Sequence, residues 1–154
     1  MKIKAFLLLY ALCSLLLATA CSFPRVIVLK DPLTPEEHLN LGVTYEQQGD
    51  FDNAIKEYNL AAKNLPRANL YLGNAYFHKR EWKEAEDFYR RAIEAEPGNA
   101  DAHNNLAWLY YTRKENLDKA EGLAQKAVEL NPAKGDVYRD TLEKVRELRK
   151  GSVP

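Results

Sequence analysis

Few side chains able to do covalent, acid–base or metal chemistry stand at a spacing that such chemistry uses. Cys13 and Cys21 are the only cysteines, too few for a disulfide framework or a four-cysteine zinc site. His38, His78 and His103 fit no HExxH or other close metal-ligand spacing. The serines are Ser14, Ser22 and Ser152, so the centre of the chain offers no serine nucleophile. The carboxylates Glu36-Glu37 and Glu84, Glu86 and Asp87 read as helix caps and solvated faces. Phosphate-cradling glycine loops are missing as well. No enzyme site, cofactor or metal is therefore expected. Lys+Arg and Asp+Glu both count 22, and this balance argues against binding nucleic acid through phosphate neutralisation. At 46% hydrophobic residues the composition is globular.

One thiol does have a context. Lys2 and Lys4 precede an apolar run from Ala5 to Ala18, shorter than the roughly 20 residues of a spanning helix and shaped like a secretory signal. Small residues then lead to cysteine in Leu17-Ala18-Thr19-Ala20-Cys21. Two readings of this boundary remain. Ala18-Thr19-Ala20 is an ordinary cleavage site, or the segment resembles a bacterial lipoprotein processing site. The resemblance implies cleavage before Cys21, acylation of its thiol and a lipid anchor. Ser22 after the cysteine implies, by the same resemblance, the outer membrane facing the periplasm. Cys13 follows the bulky Leu12 inside the apolar run and is read as leader. Cleavage removes two lysines and leaves a slightly acidic chain.

Residues 1–20 are thus read as a lipoprotein signal peptide and 21–34 as the acylated cysteine with an extended tether. Pro24 and Pro32 oppose helix there, while Val26 to Leu29 could instead dock as a strand.

Beyond the tether, the chain repeats itself. His38, Leu41, Gly42 and Tyr45 are followed by Ala54, Tyr58 and Pro66. A second series runs Asn69, Leu72, Gly73, Tyr76, Ala85, Tyr89 and Pro97. The third is His103, Leu106, Ala107, Tyr110, Ala120, Ala124 and Pro132. This pattern resembles the tetratricopeptide repeat, a helix hairpin that stacks into a solenoid. The resemblance implies an all-α fold: a right-handed α-solenoid of three hairpins, about 35–65, 66–99 and 100–133. A capping helix at 134–150 and a tail at 151–154 complete the division.

Local physics leads to the same elements. Thr34-Pro35-Glu36-Glu37 combines an N-cap, proline at the first helical position and a capping-box glutamate. Gly49 closes that helix. Gly42, Gly73 and Ala107 are small where paired helices approach, as are Ala54, Ala85 and Ala120. Tyr58 and Tyr89 are expected to fill the space between repeats. Ala124 stands where a tyrosine is expected, so packing should loosen there unless Trp108 or Leu123 compensates. Pro66 to Tyr76 is three residues short, which predicts a tight Leu65-Pro66-Arg67 turn. One extra residue falls within Arg113-Lys114-Glu115-Asn116. Between Asp136 and Lys150, an apolar stripe of Tyr138, Leu142, Val145 and Leu148 marks the cap, with Arg139, Lys144, Arg146, Arg149 and Lys150 read as its solvated face.

Tetratricopeptide arrays bind peptides or proteins in a concave groove lined by the first helix of each repeat. Carried over copy by copy, the resemblance selects Leu39, Val43 and Glu46, then Leu70, Asn74, Phe77 and His78. The third copy adds Asn104, Trp108, Tyr111 and Thr112. The strongest candidates are Asn74, Phe77, His78, Asn104, Trp108 and Tyr111, with the aromatics either exposed for binding or packed between helices. With only Arg67 nearby, a peptide carboxylate is not the expected ligand. His38 and His103 share one repeat position and read as structural. The implied function is a membrane-anchored adaptor or assembly factor of the bacterial envelope, binding a protein or extended peptide. Alternatives are a non-catalytic accessory subunit of an envelope hydrolase or transferase, and a structural homo-oligomer.

Overall fold

The computed structural model describes residues 31–151, and Cys21, the leader and most of the tether lie outside them. Among the described residues the regular structure is helical, with no strand. Seven α-helices follow in order: α1 Pro35–Gln47, α2 Phe51–Ala62, α3 Ala68–His78, α4 Trp82–Ala95, α5 Ala100–Arg113, α6 Leu117–Leu130 and α7 Gly135–Gly151. A 3-10 turn, Pro132–Lys134, precedes the last. Each odd helix pairs with the next to form a hairpin, and each hairpin stacks on its neighbour. Helices α1, α3 and α5 also touch in sequence, forming one layer of the solenoid. Contacts join neighbours in the array only, as a repeat stack requires.

Helix starts follow the local chemistry. The Thr34 hydroxyl accepts from the Glu37 N–H at 3.2 Å, and the Glu37 carboxylate accepts from the Thr34 N–H at 2.7 Å. This reciprocal pair holds the Glu37 carboxyl below its usual range, through the backbone hydrogen bond first. Asp50 caps α2 and Asn99 caps α5 by accepting from N–H groups three residues on. Gly49 leaves α1 at φ 76°, a conformation glycine adopts without strain. At the equivalent point after α3 stands Arg80, at φ 62°. The longer loop after α5 uses two such residues, Lys114 and Asn116, and absorbs the extra residue of the third copy.

The tight turn at the first junction is present. Leu65 N–H closes on Ala61 O, and Ala68 N–H on Leu65 O. Asn69 then donates to Pro66 O at 2.7 Å, and at the matching position His103 Nε2 meets Pro97 O at 3.0 Å. His38 and His103 are both buried, and His38 Nδ1 lies 2.7 Å from a Glu57 carboxylate oxygen.

The small residues at the hairpin crossings have a specific use. A Cβ on Gly42 would lie 2.5 Å from Tyr58 Cδ1, and one on Gly73 would lie 2.5 Å from Tyr89 Cε1. Tyr58 and Tyr89 therefore seat first on the glycine of their own repeat, rather than only between repeats. Tyr58 also reaches forward to Tyr71, with ring centroids 5.5 Å apart. In the third repeat both members of the pair are alanine, Ala107 and Ala124, and both are fully buried. The missing tyrosine volume is supplied by Leu142 and Val145 of α7, with Leu123 packed alongside. Packing is thus restored chiefly by the cap.

The cap is also held by charge. Arg146 Nε donates to Glu121 at 2.8 Å, and Arg149 Nη1 donates to Asp118 at 3.0 Å. Arg139, Arg146, Arg149 and Lys150 are exposed, as a solvated face requires, and within that face Arg146 and Arg149 also tie α7 to α6. Tyr138 is buried and donates to Asp101 at 2.8 Å. Burial, then that bond, pushes its phenol up to about 12.

Candidate functional site

On the layer of α1, α3 and α5 a groove opens between α3 and α5. Its floor is built from the back. The Gly73–Tyr89 contact lets the Tyr89 ring pass beneath α3, so that its hydroxyl reaches Asn74 and donates to Oδ1 at 3.1 Å. Asn105 Nδ2 donates to the same oxygen at 2.9 Å. One amide carbonyl therefore joins α3, α4 and α5. The Asn74 amide nitrogen makes no hydrogen bond among the described residues. Burial raises the Tyr89 phenol far above its ordinary range, so it remains a donor.

Two adjoining cavities open on this floor. One, of about 270 Å3, is lined by Asn74, Phe77, His78, Tyr89, Asn105 and Trp108. The other, of about 440 Å3, is lined by Phe77, His78, Arg80, Trp82 and Thr112. They share Phe77 and His78 and form one trough leading to the α3–α4 loop. Its aromatics brace one another. His78 stacks on Phe51 at 5.2 Å, Phe77 meets Trp82 edge-on at 5.4 Å, and Trp108 lies 4.9 Å from Tyr111. Lys144 reaches from α7 to within 5.3 Å of the Trp108 ring centre. Its hydrogen bond to Asp140 raises the pKa of that amine.

The residues selected from sequence distribute unevenly. Asn74, Phe77, His78 and Trp108 line the trough, and Tyr111 packs against Trp108. Phe77, Trp108 and Tyr111 are half-buried and His78 is exposed, so these rings pack on neighbours and still present an edge. Asn104 is buried instead, its Oδ1 without a hydrogen-bond partner. Asn105, one position on, supplies the amide that meets Asn74. Leu39 belongs to the core, and the Glu46 carboxylate is engaged by the Tyr58 hydroxyl. Asn105 and Arg80 were not selected from sequence, and Tyr89 and Lys144 were read there as a repeat-packing residue and a charge of the cap rather than as part of the groove. A turn of 3.6 residues separates Asn104 and Asn105 by about 100° around α5, and single-residue register is what a carried-over pattern resolves least.

No cluster of three or more His, Cys, Asp or Glu suited to a metal occurs among the described residues. None of their helices is long and apolar enough to cross a membrane. The trough offers hydrogen-bonding amides, aromatic edges and two cations, Arg80 and Lys144, an arrangement for holding a chain.

Family models described as tetratricopeptide repeat match residues 27–68, 39–100 and 88–122. The chain belongs to the tetratricopeptide repeat family. Among similar curated proteins is the human protein O-mannosyl-transferase TMTC2, 31% identical over 118 residues, covering 70% of this chain. The ycf37 protein of Pyropia yezoensis is 40% identical over 83 residues, covering 51% of this chain. The chain spans 14% of the former and 46% of the latter. Among solved tetratricopeptide structures, the first such domain of Spaghetti (RPAP3), bound to an HSP90 peptide, superposes with TM-score 0.68 at 20% identity. That match covers 78% of this chain and 96% of the domain. The TPR2B domain of yeast Sti1, in complex with pHsp70, gives 0.69 at 21% identity, covering 73% and 96%. At such identities the likeness establishes the fold.

Proposed function

We propose that this tetratricopeptide protein is a lipid-anchored adaptor of the bacterial envelope that captures an extended segment of a partner protein between α3 and α5. The observation that carries the capture is the trough itself. Asn74 and Asn105 supply amides at its floor, and Phe77, His78 and Trp108 supply rigid contact area with little rotamer entropy to lose. Solved relatives of the same fold hold HSP90 and pHsp70 partners, which supports a peptide-sized occupant. The anchor rests on Leu17-Ala18-Thr19-Ala20-Cys21, with thiol acylation adding about 0.8 kcal/mol of membrane affinity per buried methylene.

A photoreactive residue at Thr112, on the exposed lip, tests the capture in native membranes. A discrete crosslinked partner is expected, lost when Trp108→Ala and Phe77→Ala are combined in a chain of unchanged helicity. Persistence of the same crosslink in that folded variant excludes the trough. Separately, Cys21→Ser should move the protein from the membrane to the soluble fraction; retention in the membrane excludes the anchor. A second reading, an accessory subunit of an envelope transferase, draws on the similarity to part of an O-mannosyl-transferase. Copurification of a transferase whose activity depends on this chain would favour it.

A further inference from the structure

A second cleft, of about 580 Å3, opens elsewhere on the solenoid, between the second helices of repeats two and three. Helix α4 contributes Arg90, Ile93 and Glu94, and α6 contributes Lys119, Gly122, Leu123 and Lys126. Its floor is α5, through His103, Leu106 and Tyr110. The volume lies within the range of small-molecule sites, and the exposed wall is mainly hydrocarbon.

Gly122 lines this cleft without a side chain. Glycine is among the poorest helix formers, and Gly122 lies well inside the 14-residue α6. Unlike Gly42 and Gly73, it has no packing reason to lack a side chain, because a Cβ there would meet nothing within 4 Å. One repeat earlier Asp87 stands in the place of Gly122 and Phe88 in that of Leu123. Phe88 stacks on Tyr76 at 5.3 Å with the Arg91 guanidinium 5.0 Å from its ring centre. Leu123, smaller than phenylalanine and without such a stack, stands in the place of Phe88.

The rim is predominantly cationic. Lys119 makes no ion pair among the described residues, and Lys126 has only Glu129 at 3.7 Å. Arg90 is engaged by Glu86 and by the Tyr110 hydroxyl, while Glu94 is the acidic residue of the rim. His103 places Nε2 against the Pro97 carbonyl and keeps a buried Nδ1 without a hydrogen-bond partner, so the cations left for a headgroup are the two lysines of α6.

We propose that this cleft binds an amphipathic anion of the medium-chain carboxylate class. Its chain lies on Ile93, Leu106, Tyr110 and Leu123, and its head meets Lys119 and Lys126. The site is separate from the trough and does not depend on peptide capture.

Calorimetric titration of the full chain with decanoate tests this, alongside decyltrimethylammonium and competition against 1-anilinonaphthalene-8-sulfonate. One-to-one decanoate binding is expected, with the ammonium binding weaker by roughly tenfold or more. Gly122→Leu fills the cleft without a clash and favours helix, so it should abolish binding while leaving the melting temperature unchanged or higher. Lys119→Glu with Lys126→Glu, both exposed, should weaken decanoate by at least about tenfold. Trp108→Ala, in the trough, should leave decanoate binding unchanged. The proposal is overturned by the absence of saturable decanoate binding, by equal affinity for the ammonium, or by wild-type affinity in the folded Gly122→Leu or charge-reversed chain.

Discussion

The ring of Tyr58 occupies the volume that a side chain on Gly42 would need, and Tyr89 stands in the same relation to Gly73. Each pair fixes how closely the two helices of a hairpin approach. Gly73→Ala is therefore expected to cost about 1–3 kcal/mol, as overpacking of a tight core does. Urea denaturation measures it, and a double-mutant cycle with Tyr89→Leu should return a coupling above about 0.5 kcal/mol. Additive effects would show that the two residues do not share space.

Arg80 takes the left-handed conformation that Gly49 takes one repeat earlier. An L-residue in that region is strained by about 1–2 kcal/mol, part of which glycine returns through greater freedom in the unfolded chain. Arg80→Gly is expected to stabilise the fold by about 0.5–1 kcal/mol, seen as a higher urea midpoint at unchanged slope. A lower midpoint would mean that the guanidinium contributes more than its backbone costs.

Four core tyrosines have phenols held above their ordinary value near 10: Tyr58, Tyr89, Tyr110 and Tyr138, with burial the first cause in each. A raised folded pKa gives stability that is complete below the unfolded value and is lost as pH rises through the folded one. For Tyr138 that window runs from about 10 to about 12. The melting temperature should stay level with respect to these groups up to about pH 10 and then fall steeply. Absorbance at alkaline pH should show part of the nine tyrosines titrating only on unfolding. A smooth single titration in the folded protein would contradict this.

The cap offers a comparison of packing with charge. Leu142 is buried against Ala107 and Ala124, so Leu142→Ala should cost about 2–5 kcal/mol. Arg149 bridges exposed Asp118 across the surface, and Arg149→Ala should cost less than about 1 kcal/mol. Thermal unfolding of the two variants decides the order, and a larger loss at Arg149 would reverse it.

Much of this architecture could be read from residue types alone. Repeated Leu-Gly and Ala positions identify hairpins because close helix approach tolerates few side chains, and the Thr34 box and Gly49 mark ends through backbone chemistry. The short span from Pro66 to Tyr76 foretold its turn for the same reason: a missing three residues leave no other path. What escaped was set by partners distant in sequence. Nothing beside Ala124 reveals that Leu142 and Val145 will fill its vacancy, and nothing near Arg146 names Glu121. In the trough, Asn105 was missed by one residue because the choice between neighbouring helix positions depends on how α3 and α5 cross.

The Ala107–Ala124 pair has a bearing on how such an array can lengthen. Repeats one and two carry matched glycine–tyrosine joints, so a further copy of that kind inserted between them meets compatible surfaces on both sides. The third repeat packs against Leu142 and Val145 of α7 in place of such a joint. A hairpin added after it would displace the leucine and valine that replace the absent tyrosine and leave a void behind Ala124. An added copy therefore finds a matching surface between the glycine–tyrosine joints more readily than beside the two alanines.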